Sequence, residues 1–516
     1  MAAWRCDPGS TVSPVKAAAP AAGALPTGFG IEMDAGTKHL SDGSLFGGSP
    51  GRVMRLTTAG AAALAELQNG PVQSAAAGLL ARRLTDGGLA NPVPPPEAAD
   101  LAAGTVTVVI PVRDRADMLD RCLAATGVQY PVIVIDDGSA DPDAIAAVAA
   151  RHGAALRRRT ASGGPAAARN TGLAGAQTDF ITFLDSDCVP PPGWVSRLAA
   201  HFADPLVGAV APRIVVPPIV APAVTPAAPP AARYAAVRGS LDLGPRPARV
   251  QPGSRVSYVP TAALIVRRTA LDAVSVDREP FDPALRYGED VDLVWRLHEA
   301  GWRIRYEPAV QVPHQGPATW AGLLGRRFSY GTSAAPLARR HPDNMAPLVL
   351  QPWPATTVGA LLARRPAVAA GALVAAWFDI TSAVRRAGVP ADGAPAATLT
   401  AVHQTWLGIG RYATQFAAPA LVLGVIRPGG SSLIRRLGRR AAAASLLLGP
   451  ALTAYAERKP ELDVVRFTLA HIADDVCYGA GVWAGCLGER TMAPVRPAIS
   501  LRPLSTNRPQ SRKRRA

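Results

Sequence analysis

Asp179-Phe180-Ile181-Thr182-Phe183-Leu184-Asp185-Ser186-Asp187-Cys188-Val189-Pro190 is a short apolar run that stops at two carboxylates one residue apart. A run of that length, rich in Phe, Ile and Thr, fits a buried strand. Asp185 and Asp187 then sit where the strand leaves its sheet, the edge at which open α/β sheets place ligands. Two hard oxygen ligands there suit a divalent cation carrying a phosphorylated substrate. An isolated Asp-x-Asp is more often a solvated or capping pair, so its meaning rests on the segments around it.

Upstream, Val106-Thr107-Val108-Val109-Ile110-Pro111-Val112 is a continuous β-branched run, as in a strand buried on both faces. Arg115 to Thr126 reads as a helix, Val132 to Ile135 as a second such strand ending at Asp136-Asp137-Gly138-Ser139, and Asp141 to His152 as another helix. Ala154 to Leu156 is a short third strand, and the Gly163-Gly164 loop opens the helix that carries Arg169 and Asn170. Strand and helix in alternation predict a parallel sheet with right-handed crossovers.

Downstream the pattern is less regular. Pro217 to Pro230 is a Pro-rich excursion, and Tyr258 to Val266 reads as a strand containing a turn. Glu289-Asp290-Val291-Asp292 leads into a helix, Leu293 to Ala300, and Arg303 to Tyr306 alternates as an edge strand. His314 follows in a loop. A long helix from Thr319 carries Arg326-Arg327-Phe328-Ser329-Tyr330-Gly331.

At the other end, residues 1–25 are Ala/Pro/Ser-rich and expected to be disordered. Residues 26–90 suggest three short strands (Phe29 to Asp34, Leu45 to Gly48, Arg52 to Leu56) followed by helices at Ala59 to Leu67, Val72 to Leu80 and from Ala81. Residues 91–103, opening Asn91-Pro92-Val93-Pro94-Pro95-Pro96, read as a stiff linker. Residues 336–489 hold Ala/Leu-rich segments, each interrupted by Asp379, Pro419, Pro450 or Asp474-Asp475 before the roughly 20 residues a bilayer span needs. They predict buried or interfacial helices. Their flanking pairs Arg364-Arg365, Arg385-Arg386 and Arg435-Arg436 suit an anionic membrane face.

Four of these segments together resemble the successive motifs of the family 2 inverting glycosyltransferases: Val-Val-Ile-Pro-Val, Val-Ile-Asp-Asp-Gly-Ser, Gly-Gly-Pro-Ala-Ala-Ala-Arg-Asn-Thr-Gly and Leu-Asp-Ser-Asp. Glu289-Asp290 resembles that family's acceptor-side motif. The resemblance covers residues 104–335. It implies a central α/β domain of the nucleotide-diphospho-sugar transferase (GT-A, Rossmann-like) fold. Beside it, the three strands and following helices of residues 26–90 are the arrangement of a small winged-helix-like N-terminal module, and the Ala/Leu-rich segments predict a helical C-terminal region. Pro111, Arg113, Asp136, Asp137, Gly164, Arg169, Asn170 and Asp185 would bind the nucleotide. Within that set, Asp136 or Asp137 would accept the uracil N–H and Arg169 would meet the diphosphate. Asp187, helped by Asp185 and completed by His314, would hold Mg²⁺ or Mn²⁺. Asp290, beside Glu289, would be the single base that inversion needs.

The order of parts along the whole chain, with Leu45-Phe46-Gly47-Gly48-Ser49-Pro50 in the N-terminal unit, also resembles the glycosyltransferases that decorate mycofactocin, a peptide-derived redox cofactor. That layout implies glucose transfer from UDP-glucose to a small peptide-derived acceptor, with the N-terminal unit resembling small peptide-binding modules. The alternatives are a family 2 enzyme of lipid-linked envelope glycan and a non-catalytic nucleotide-sugar-binding scaffold.

Net charge adds little to the choice. Of the formal +16, eight basic residues with no acid lie in the Pro/Ser-rich tail, residues 490–516. That tail lacks aromatic interleaving, which argues against nucleic acid, and is expected to be disordered. Cys6, Cys122, Cys188, Cys477 and Cys486 are scattered and odd in number, so a reducing compartment is expected. Without an apolar core region near Met1, the expectation is cytoplasmic, with contact at the inner face of the membrane.

Overall fold

A computed structural model describes residues 19–20, 23–99, 103–216, 228–386, 390–427 and 433–500. Most of the expected N-terminal disorder, the excursion after Pro217 and the tail beyond residue 500 lie outside the described residues.

An eight-stranded sheet forms the centre. Its order is Ala248–Val250, Arg303–Pro313, Val207–Val215, Ala263–Arg267, Phe180–Leu184, Val106–Val112, Val132–Asp136, Ala155–Arg158. The last four are parallel, as their apolar runs and crossover helices dictate. Successive side chains of Val106–Val112 feed two cores. Val106, Val108 and Ile110 pack under the helices Ala116–Thr126 and Pro142–Arg151. Val109 faces Gly164–Gly175 and Glu289–Glu299 on the other side.

The second half departs from a parallel sheet. Ala263–Arg267 is antiparallel to both of its neighbours, and strand direction leaves no mark on a fully apolar run. The expected edge strand at Arg303 is an interior strand of 11 residues, Arg303–Pro313, paired on both sides. Its alternating arginines are covered by the N-terminal module, where Asp86 meets Arg303 at 2.7 Å and Arg249 at 3.5 Å. Arg305, 2% exposed, has its pKa pushed down to about 10 by burial.

In that module Thr57 caps the helix Thr58–Asn69 through Gly60 N. The expected second and third helices are one, Ala75–Gly87, capped by Ser74. Ala90–Val93, expected as linker, pairs antiparallel with Gly30–Met33. Pro92 is tolerated because a two-stranded ribbon has free edges. The module docks through Arg82, which meets Asp204 with two bonds of 2.7 Å.

The C-terminal segments are long helices, Pro366–Arg386, Ala394–Ile426, Leu433–Arg458 and Val464–Gly488. The expected breaks do not break them. Pro419 only kinks its helix, at Ala417. Asp474 and Asp475 are buried and paired, Asp474 with Arg327, Arg238 and the Tyr234 hydroxyl, Asp475 with Arg411 and Gln415. By length and composition alone, Pro366–Arg386 and residues 391–426 could cross a membrane. Val464–Gly488 instead lies on Trp320–Thr332 at backbone contact: a Cβ on Gly481 would sit 1.9 Å from Phe328 O. The helical region is thereby fastened over the mouth of the sheet.

Candidate active site

The C-terminal ends of the strands open into a cleft of about 1210 Å³. One wall is the sheet edge, with Pro111, Arg113, Asp137, Gly164, Asp185 and Asp187. The opposite wall is helical, with Arg326, Tyr330, Arg411, Tyr412, Gln415 and Tyr478.

The two aspartates after the second strand divide. Asp136 is fully buried, accepts a hydrogen bond from Ser139 N at 2.8 Å and does not line the cleft. Asp137 does line it. Its carboxylate accepts from Arg159 Nε, Ser162 Oγ and the amides of Gly163 and Gly164, all at 2.8–3.0 Å. Gly138 permits this fold-back: its φ is +76°, and a Cβ there would meet Ser162 N at 2.9 Å.

Arg169 is not a surface ligand. It is 3% exposed and bridges Glu289 Oε1 and Asp185 Oδ1, each at 2.8 Å, so its charge is spent on holding two site carboxylates. Asn170 is also removed from the nucleotide set: its amide exchanges hydrogen bonds with the backbone of Phe281. The positive edge of the cleft is formed by Arg113, which reaches Ser162 Oγ at 3.1 Å and Asp114 at 3.4 Å, with Arg115 and Arg326.

Asp187 and His314, 127 positions apart in the chain, are brought to 3.3 Å between Oδ1 and Nε2. A bridge between Cys188 and His314 and the bond His314 N→Val215 O fix that approach. Arg115 Nη1 holds the other oxygen of Asp187 at 2.9 Å. It projects from a loop whose Asp114 has φ +55°, pinned by Ser139 Oγ and Ala140 N. Among the described residues no three His, Cys, Asp or Glu side chains gather to hold an ion. The Asp187–His314 pair suits a divalent cation that takes its other ligands from phosphates and water. Asp185 is turned to Arg169 instead.

Asp290 lies in the first turn of Glu289–Glu299 and lines the cleft. Its pKa is pushed up to about 7, first by burial and then by the Glu289 carboxylate, although Val291 N donates to it at 2.8 Å. A carboxyl with a value that high is suited to accept a proton near neutrality. Tyr258 and Tyr330 line the same part of the cleft, and burial raises both hydroxyls. Asp292 points away into Arg296, Arg340 and His341, which hold it at about 2 despite its burial.

Residues 107–270 match the family described as Glycosyl transferase family 2. A Pre-mycofactocin glycosyltransferase of Mycobacterium tuberculosis is 38% identical over 499 residues, covering 92% of this chain and 98% of that protein. The chain belongs to the pre-mycofactocin glycosyltransferases of family 2. Glycosyltransferase AglE of Haloferax volcanii is 28% identical over 44% of this chain and 71% of its own length. A mannosyltransferase from Pyrobaculum calidifontis, solved with GDP-Man and Mn²⁺, is 20% identical with a TM-score of 0.35, covering 67% of this chain and 87% of that one. In this family 2 enzyme the α/β domain is the glycosyltransferase domain, with the GT-A fold, and the helical region is its roof.

The roof was missed in sequence. Arg411, Tyr412, Gln415 and Phe416 recur at helical spacing and place a polar and aromatic stripe inside an otherwise apolar helix. That stripe is the signal from which the cleft-facing side could have been read.

Proposed function

We propose that this glycosyltransferase moves glucose from UDP-glucose, with inversion, onto a peptide-derived acceptor of the mycofactocin pathway, building a short oligosaccharide in the cytoplasm at the inner face of the membrane. The observation that carries the reading is the convergence in one cleft of the Asp187–His314 pair and the raised carboxyl of Asp290. The relative from Mycobacterium tuberculosis supports the pathway by its name and by its length.

Asp187 and His314 would hold Mg²⁺ or Mn²⁺, which when bound supplies Lewis-acid neutralisation of the departing nucleotide diphosphate. Arg113, Arg115 and Arg326 would meet the diphosphate by charge. Asp137 would accept the nucleobase N–H, in competition with the Ser162 hydroxyl that donates to it at 2.8 Å. Asp290, ionised, would take the proton of the acceptor hydroxyl on the face opposite the leaving group. Arg169 keeps Glu289 and Asp185 in register and is a positioning residue.

The test is incubation of the purified chain with a panel of nucleotide sugars and acceptors, read by mass spectrometry, with the anomeric configuration read by NMR. Transfer of glucose from UDP-glucose to the peptide-derived acceptor with a β-linkage is expected. Product formed only on lipid-linked acceptors, or retention at the anomeric carbon, would overturn the reading.

A further inference from the structure

We propose that one pole of the helical region is an anionic-membrane docking surface, a reading that rests on the placement at the membrane's inner face made above and assigns it to named residues.

Three helix ends meet at this pole. Arg364 Nη1, after the helix Pro352–Leu362, donates to Ile434 O at 3.4 Å, and a Cβ on Gly438 would sit 2.7 Å from Arg364 Cδ. Arg439 Nη2 donates to Arg427 O at 2.6 Å, which joins Leu433–Arg458 to the end of Ala394–Ile426. The side chains left outside at this junction are apolar: Leu361 is 56% exposed, Val368 50%, Leu423 57%, Ile426 59%, Ile434 79% and Leu437 53%. Neighbouring aliphatic side chains at that exposure mark an interaction surface.

Arginines share the surface, namely Arg364, Arg365, Arg427, Arg439 and Arg440. From 344 to 378 and from 393 to 456 the sequence has no Asp or Glu. Aliphatic tips and arginines on stretches of sequence without acids match the boundary between acyl chains and anionic headgroups. A second copy would bring like charge against like charge. A bilayer span is the poorer fit for Ala394–Ile426, because its Arg411 and Gln415 line the catalytic cleft and bond to Asp475. Among the described residues, the far end of Pro366–Arg386, with Arg385 and Arg386, carries no such arginine-bonded junction of three helix ends.

The test is sedimentation of the full chain with vesicles of phosphatidylcholine, alone or mixed with phosphatidylglycerol. Binding to the mixed vesicles, weakened by salt, is expected. Ile434→Glu with Leu437→Glu should reduce it at least tenfold, because charge enters the apolar tip. Arg365→Gln, Arg439→Gln and Arg440→Gln should each lose about five-fold. Arg385→Gln with Arg386→Gln should change nothing. Glycosyl transfer to a soluble acceptor, unchanged in all of these, shows that they fold. Wild type that binds no vesicle sinks the membrane reading itself. Wild type that binds while the Ile434 and Leu437 variant binds equally well leaves the membrane reading standing and sinks the pole. Self-association abolished by the same variant, capture of an acidic protein in place of vesicles, or release only by detergent would each overturn surface docking.

Discussion

Asp290→Asn separates a catalytic base from a helix-capping acid by moving activity and stability in opposite directions. The substitution keeps an oxygen that can accept from Val291 N but removes the charge. The folded-state pKa of Asp290 is raised from 3.8 to about 7. A carboxyl with a raised folded pKa contributes stability that is fully present below its unfolded value and is lost as pH rises through the folded one. At about 1.4 kcal/mol per pKa unit, the ceiling on the cost of ionising Asp290 is about 4 kcal/mol above pH 7. Partial exposure and relaxation of Glu289 reduce that to about 1–2 kcal/mol. The Asn variant should therefore melt higher than wild type at pH 8, by about 1–4 °C, and gain much less at pH 5. Transfer should fall by about 10²–10⁴, while UDP affinity holds. In wild type, kcat/KM should rise with pH through about 7 as Asp290 ionises. Melts at the two pH values, with transfer assays alongside, decide the matter. Full activity in the variant, or a stability change equal at both pH values, would refute the reasoning.

Asp187→Ala should lower the Mn²⁺-dependent affinity for UDP at least tenfold by calorimetry, and an unchanged affinity would count against the Asp187–His314 pair as the metal-holding site. Arg115→Ala frees one oxygen of Asp187, so Mn²⁺ binding without nucleotide should tighten, read by the free Mn²⁺ EPR signal. Arg82→Ala leaves Asp204 buried without its partner and should cost about 3–5 kcal/mol in denaturant unfolding. Gly481→Val drives a side chain into Phe328 O and should cost about 1–3 kcal/mol or more, measured as a lowered Tm.

What the sequence made legible was local. The runs at Val106, Val132 and Phe180 are apolar throughout and end in acids, so their burial, order and shared edge follow from composition. Thr57 and Thr319 announce helix starts by side-chain chemistry, and both side chains cap. What failed depended on distant partners. Arg303 and Arg305 read as an edge strand's alternation until Asp86 is placed above that strand. Asp474 and Asp475 look like helix breaks until Arg327 and Arg411 reach them. Arg169 looks like a free cation until Asp185 and Glu289, 16 and 120 positions away, close on it. Asp136 and Asp137 are adjacent, and only the fold-back of Gly163 and Gly164 separates their roles.

The small N-terminal module has a consequence for how far the enzyme can be cut down. Ser49 accepts from Arg255 N at 2.7 Å and from Gln251 at 3.2 Å, and the next residues of that same loop, Ser257 and Tyr258, line the cleft beside Asp290. Asp86 answers Arg303 and Arg249, while Arg82 answers Asp204. A chain begun at residue 104 would therefore keep every side chain that lines the cleft and yet expose two arginines and an aspartate stripped of counterions. It would also release the loop that carries Ser257 and Tyr258 into the cleft. The module thus grips the strand and loop from Ala248 to Ser257 that lead into the cleft, although none of its own described residues lines the cleft.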